Sequence, residues 1–302
     1  MPTERCGVVA DTARAARTAT PARQLALWWR RAVPVCMYIV LVFSAVAVAL
    51  PLYWMLLTSL KSSQAAMTFP PQWFVLSPQW SNYPNALTEE PFARFFANSF
   101  LVAGLSSALL VISSSMVGFA FARLRWPGRD ALFIVVLATI MLPPQITLIP
   151  HFIIFRYLHW INTFLPLIVP SAFGGAFLIF LFRQFMLSLP RDLDDAARMD
   201  GCGYGRLYLQ VVMPLCRPAI GASLVLSFST AWHDFIGPLI YLGTPNLFTV
   251  SLGLNLFQGE FTTYWNLLMA ASIVAIIPPL ILYYVFQRYF LEEMSLFAGL
   301  TS

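Results

Sequence analysis

The chain has 302 residues, of which 59% are apolar or aromatic and only 10% charged, with a formal net charge of +5. Soluble domains run at about 45–50% apolar and about 25% charged. A soluble globule is therefore excluded, as is disorder of the main body, and an all-α, multi-spanning membrane protein remains.

In chain order, residues 1–31 carry six arginines among many Ala and Thr and read as a flexible cytoplasmic tail. A spanning helix needs about 20 predominantly apolar residues. Charge-free runs of that kind extend from Ala32 to Leu60, Phe95 to Ala122, Ala131 to Phe155, Tyr157 to Phe182 and Phe261 to Gln287. A further, less clean run starts near Pro218 and meets Asp234. The first run is too long for a signal-peptide core and reads as an uncleaved span. Pro143-Pro144 and Pro278-Pro279 are expected to kink or end helix, because proline removes a backbone donor. The expected organisation is a tail over 1–31, a permease domain over 32–290 and a second cytoplasmic tail over 291–302.

With the N-terminus inside, 15 of the 18 basic residues fall on the inner side, and only Lys61, Arg94 and Arg156 lie outside. The positive-inside rule then gives six spans, N-in and C-in. The basic residues sit at span ends and form no continuous patch, so nucleic acid is not an expected partner. Two outer segments stand out. Lys61 to Arg94 holds Pro70, Pro71, Trp73, Pro78, Trp80, Tyr83 and Pro84, and Tyr241 to Trp265 holds Gly243, Pro245, Gly253 and Gly259. Their aromatics suit either contact with a soluble partner or an interfacial belt.

The inner segment from about 189 to 218 is too patterned for a bare connection. Pro190 and Asp192 suit a helix start, and Gly201 a helix stop. Leu193, Ala196, Ala197 and Asp200 follow i, i+3, i+4, i+7 and are expected on one face. A second helix is expected from Tyr204 to Val212, ending before Pro214. A narrow Ala-Ala face beside a glycine allows another protein's backbone to approach closely, so the first helix reads as a docking element. The alternative is an amphipathic helix lying on lipid.

Asp195-Ala196-Ala197-Arg198-Met199-Asp200-Gly201, followed by Val212-Met213-Pro214-Leu215 and Pro218, resembles the EAA motif of ABC importer permeases, with Asp195 where Glu is usual. Four further stretches match in order: Pro51 to Lys61, Asn98-Ser99 with Ala120 to Leu124, Trp232 to Leu239, and Gln287 to Phe290. His233 stands where that family usually has Asn. The likeness is to the carbohydrate-uptake branch, and within it to relatives of the smaller permease subunit of the maltose transporter.

The resemblance implies a subunit of a binding-protein-dependent importer in a bacterial or archaeal cytoplasmic membrane. It implies a second, homologous permease, two ATP-hydrolysing subunits and an external sugar-binding protein as partners. Asp195, Ala196, Ala197, Arg198, Asp200 and Gly201 would couple the chain to the ATPases. No cofactor is expected on this chain, since ATP and Mg would be used by the ATPase, and no Walker A pattern occurs in the sequence.

Trp232, His233 and Asp234 would belong either to the translocation pathway or to the interface between permeases. An acid within a span is by default a functional candidate. His151 and His159 read as incidental. Cys6, Cys36, Cys202 and Cys216 show no metal or redox spacing. A membrane-embedded enzyme is disfavoured because the spans lack clustered ionisable groups. Import of glycerol-3-phosphate or another polyol, and less so an ion-coupled secondary transporter, remain as alternatives to sugar import.

Overall fold

The computed structural model describes residues 21–259 and 263–299, with side chains described for 33–259 and 263–287. The first 20 residues of the expected tail, including Cys6, and Phe261 therefore lie outside the described residues. The chain divides into two compact units, Met1–Leu57 and Thr58–Ser302. The described residues are helical apart from turns and one isolated antiparallel bridge between Gln258 and Thr263. Among the described residues, four helices are long and apolar enough to cross a membrane, or up to six if two bent pairs each count as one span.

Helix α1 (Pro21–Ser59) carries the first of these spans and supplies the described part of the first unit. It begins inside the stretch read as a flexible tail. From Val33 to Tyr53 its side chains are exposed and almost all apolar, as suits a helix whose solvent is lipid.

In the second unit, α2 (Phe92–Arg123) is the central element. It packs against α5 (Ala176–Ser188) and α7 (Arg217–Trp232), and α7 packs against α8 (Trp265–Gly299). Small residues allow the close approaches, as expected between membrane helices. At Gly118 an added Cβ would lie 2.7 Å from the Phe182 Cβ and 3.2 Å from the Arg183 backbone nitrogen. Buried serines supply hydrogen bonds between elements. The Gly175 N–H donates to Ser114 Oγ at 3.0 Å, and Ser115 Oγ lies 2.8 Å from the Tyr208 hydroxyl.

Three apolar clusters of the described residues draw on α2, the smallest being Phe121 with Phe133 and Ile179. Of the two larger clusters, one gathers Phe92, Phe95, Trp232, Val250, Phe257 and Ala271, and the other Val111, Phe119, Phe182, Met186, Leu207 and Val212.

Two expected spans and one expected shorter helix are corrected. The run from Ala131 to Phe155 is two helices, α3 (Arg129–Ala138) and α4 (Pro144–Tyr157), joined through a short 3-10 turn and bent by 96°. Pro143-Pro144 breaks the ladder there, and Pro144 starts the new helix, where its missing donor is harmless. The fourth span runs from Leu165 to Ser188 and not from Tyr157 to Phe182. The second inner helix does not stop before Pro214. A turn at Tyr204–Arg206 passes into a π-helix at Leu207–Val212 and on to Leu215, then bends by 79° into α7. Pro278 and Pro279 do not end α8, which also continues to Gly299, through most of the expected C-terminal tail.

The segment after α1 is held by a polar network. Asn82 Nδ2 donates to the Ser59 and Lys61 carbonyls at 2.8 Å, and Asn266 Nδ2 to Asn82 Oδ1 at 3.1 Å. Lys61 is buried, with its ammonium 2.8 Å from the Gln72 carbonyl, and burial lowers its pKa below the usual lysine value.

Candidate functional site

The segment with the docking pattern forms α6 (Asp192–Met199). The helix starts at Asp192, so Pro190 precedes its first turn. Asp192, Asp194 and Asp195 sit in that turn and Arg198 in the last, in accord with the helix dipole. Gly201 adopts φ +77°, a left-handed conformation that favours glycine. The Cys202 N–H donates to the Ala197 carbonyl at 2.9 Å and the Gly201 N–H to the Arg198 carbonyl at 3.0 Å. These two bonds make a Schellman ending.

The expected face of Leu193, Ala196, Ala197 and Asp200 is split. Ala197 turns inward with Asp194 and joins the Phe182–Leu207 cluster, while Leu193, Ala196 and Asp200 stay exposed. Asp194 is the residue that the pattern passes over. Its carboxylate lies 3.0 Å from Arg123 Nη1, with the two side chains 12% and 3% exposed. Arg123 Nη2 also donates to the Leu189 carbonyl at 3.1 Å. Arg123 ends α2, so α6 is fastened to the central helix by a buried ion pair and by Ala197. The signal was present in Arg123 at the end of an apolar run, but its partner lies 71 positions away and no local period connects them.

The outward face carries Met199, 88% exposed, with Leu193 and Ala196. Asp192, Asp195 and Asp200 share the exposed surface. The exposed surface thus carries three acids beside Arg191 and Arg198, and not the Lys- and Arg-rich polar face of a lipid-lying amphipathic helix. At Gly201 an added Cβ would meet no atom of this chain within 4 Å, so the glycine leaves room for a neighbour outside the chain.

The Trp232-His233-Asp234 group is not brought to one point. Trp232 is buried and packs against Phe96, Phe100 and Phe228, and its indole N–H donates to the Ala275 carbonyl at 3.0 Å. It is a core residue between α7 and α8. His233 is exposed, with Nδ1 2.8 Å from the Ser229 carbonyl. Asp234 accepts the Gly237 N–H at 3.1 Å and borders a cavity of about 740 Å³. Ser106, Ser107, Thr139, Ser171, Ser227 and Thr230 also line that cavity, and among the described residues Asp234 is the one ionisable group in its lining. The sequence identified Asp234, but not the hydroxyls scattered over four other segments.

Near the start of α2, Asn98 Nδ2 donates to the carbonyls of Asn246 and Phe248, at 3.0 and 2.9 Å, and the Val250 N–H donates to Ser99 Oγ at 2.8 Å. The Asn-Ser pair thus pins the segment that follows α7 onto α2. His151 stacks on Phe155, and His159 borders a small outer cleft with Arg156. Cys36, Cys202 and Cys216 are free thiols.

Residues 111–295 match the family described as binding-protein-dependent transport system inner membrane component. The chain belongs to this family. It is a multi-pass membrane protein and a permease subunit of ABC-type transport, not an enzyme.

The chain is similar to the sulfoquinovosyl glycerol transport system permease protein SmoH of Agrobacterium fabrum, 36% identical over 239 residues, covering 79% of this chain and 84% of that one. It is also similar to the arabinooligosaccharides transport system permease protein AraQ of Bacillus subtilis, 33% identical over 202 residues, covering 67% and 72%. Its fold resembles a chain in the crystal structure of a bacterial ABC transporter involved in the import of the acidic polysaccharide alginate, with a TM-score of 0.76 at 20% identity, covering 86% and 97%.

Proposed function

We propose that this permease carries a sugar, a mono- or oligosaccharide, inward across a bacterial or archaeal cytoplasmic membrane by alternating access. It pairs with a second, homologous permease, takes cargo from an extracytoplasmic binding protein and is driven by two ATPase subunits docked at α6. The six-span, N-in and C-in arrangement puts α6 on the cytoplasmic side, and it rests on the distribution of basic residues.

The observation that carries the coupling role is the build of α6. Its inner side is locked to α2 through Arg123 and Asp194, while Leu193, Ala196 and Met199 stay free. A push on that face passes to the central helix and so to the spans packed on it.

The cargo reading rests on the cavity beside Asp234. Hydroxyls of Ser and Thr suit a polyhydroxylated solute. A single carboxylate with no basic lining residue favours uncharged sugar over glycerol-3-phosphate. The names of the two relatives point to carbohydrate-like cargo, uncharged for arabinooligosaccharides and sulfonated for sulfoquinovosyl glycerol.

Uptake of labelled sugar into proteoliposomes containing the assembled importer tests the reading. It is expected to require both ATP inside and binding protein outside. Uptake driven by an ion gradient alone, without either, would replace it with secondary transport.

A further inference from the structure

One flank of α6 borders a polar cleft of about 280 Å³, lined by Arg123, Arg125, Arg191 and Arg198 against Asp194 and Asp195. The charges do not balance. Arg123 is committed to Asp194 and the Leu189 carbonyl, and so contributes field but little contact. Arg198 lies over the Tyr204 ring, 5.2 Å from its centroid. Among the described residues Arg125 and Arg191 have no ion-pair partner. Both also line a neighbouring cleft of about 480 Å³ that contains Trp126, Arg129 and Asp130, the last two paired with each other at 3.0 Å. The two clefts therefore form one basic trough with Arg125 and Arg191 at its centre.

Its depth is set by the spans. Arg123 is the last residue of α2 and Arg129 the first of α3, so the trough lies where the apolar segments end. Trp126 is exposed there, in the manner of interfacial aromatics. Guanidinium forks match phosphate oxygens, and basic pockets beside spans on the cytoplasmic side are suited to anionic headgroups.

We infer that this trough binds the phosphate of an anionic phospholipid of the inner leaflet through Arg125 and Arg191, beside the coupling helix. The inference rests on the reading that the α6 end faces the cytoplasm. A lipid held there sits against Asp195 and Arg198, and so ties the set of α6 to the composition of the leaflet.

The test uses the assembled importer, purified from membranes containing phosphatidylglycerol, washed in mild detergent and assayed for retained lipid by mass spectrometry. Wild type is expected to retain phosphatidylglycerol over phosphatidylcholine. The doubly substituted Arg125→Gln, Arg191→Gln complex is expected to lose that retention by roughly tenfold or more. Equal retention by wild type and variant, or none by wild type, overturns the proposal. Displacement of the lipid by excess inorganic phosphate also overturns it, in favour of a soluble phosphate ligand. So does loss of the ATPase from the variant in phosphatidylcholine alone, which would assign the arginines to an acidic protein contact. Absence of an ATPase from the wild-type preparation is read separately, as failure of the importer reading.

Discussion

Arg123 and Asp194 meet at 3.0 Å where the last turn of α2 touches the first turn of α6. A span and a surface helix are thereby joined through a pair almost wholly removed from solvent. Breaking a buried pair from one side strands the other charge, a loss of about 3–5 kcal/mol. Arg123→Met is therefore expected to lower the thermal midpoint of the purified chain and weaken ATPase retention. Arg123→Met with Asp194→Leu should recover most of the thermal stability, because no charge is left buried alone. Thermal denaturation in detergent of the single and double variants measures both.

The contact between α2 and α5 predicts opposite outcomes at two glycines of one helix. Gly118→Ala puts a methyl group against Phe182 and the backbone at Ile179 and Arg183. It is expected to destabilise by about 1–3 kcal/mol. An added Cβ at Gly104 meets nothing within 4 Å. Gly104→Ala is therefore expected to be neutral or to stabilise by up to about 1 kcal/mol. Parallel melting curves decide.

Asn98→Ala removes two hydrogen bonds that hold the Asn246–Phe248 backbone. At about 0.5–1.5 kcal/mol each, a loss of about 1–3 kcal/mol is expected. If that outer segment meets the binding protein, uptake should fall while the ATPase stays bound, since α6 lies at the other end of α2. Uptake and co-purification measured on one preparation separate the two effects.

The cavity beside Asp234 predicts that bulk placed in it stops transport without harming assembly. Thr230 is an exposed lining residue on α7. Thr230→Trp should abolish sugar uptake and leave the melting temperature and the bound partners unchanged. Undiminished uptake would remove this cavity from the pathway.

What was legible in the sequence depended on the range of the interaction. The first, second and last apolar runs and the Gly201 stop are local, and they appear close to where they are expected. The break at Pro143-Pro144 was visible as a proline pair, but its 96° bend depends on what packs around α3 and α4. At Pro278-Pro279 the same signal left α8 running on. The i, i+3, i+4 pattern on α6 found the helix but misassigned Ala197, because a small residue suits a buried face as well as a docking one. Asp194 went unnoticed for the same reason, as its role is fixed by Arg123, far away in sequence. Asn98-Ser99 was only a likeness until the structure supplied the Asn246, Phe248 and Val250 backbone as its partners.

The central claim is that α6 couples this permease to an ATPase, and Ala196→Glu tests it most directly. Ala196 is exposed within a well-formed helix, so the substitution changes the outer face and not the fold. Mild-detergent purification followed by mass spectrometry is expected to recover wild type with an ATPase and a second permease, and Ala196→Glu with the second permease alone. An ATPase retained equally by both, or no ATPase with the wild type, would contradict the account.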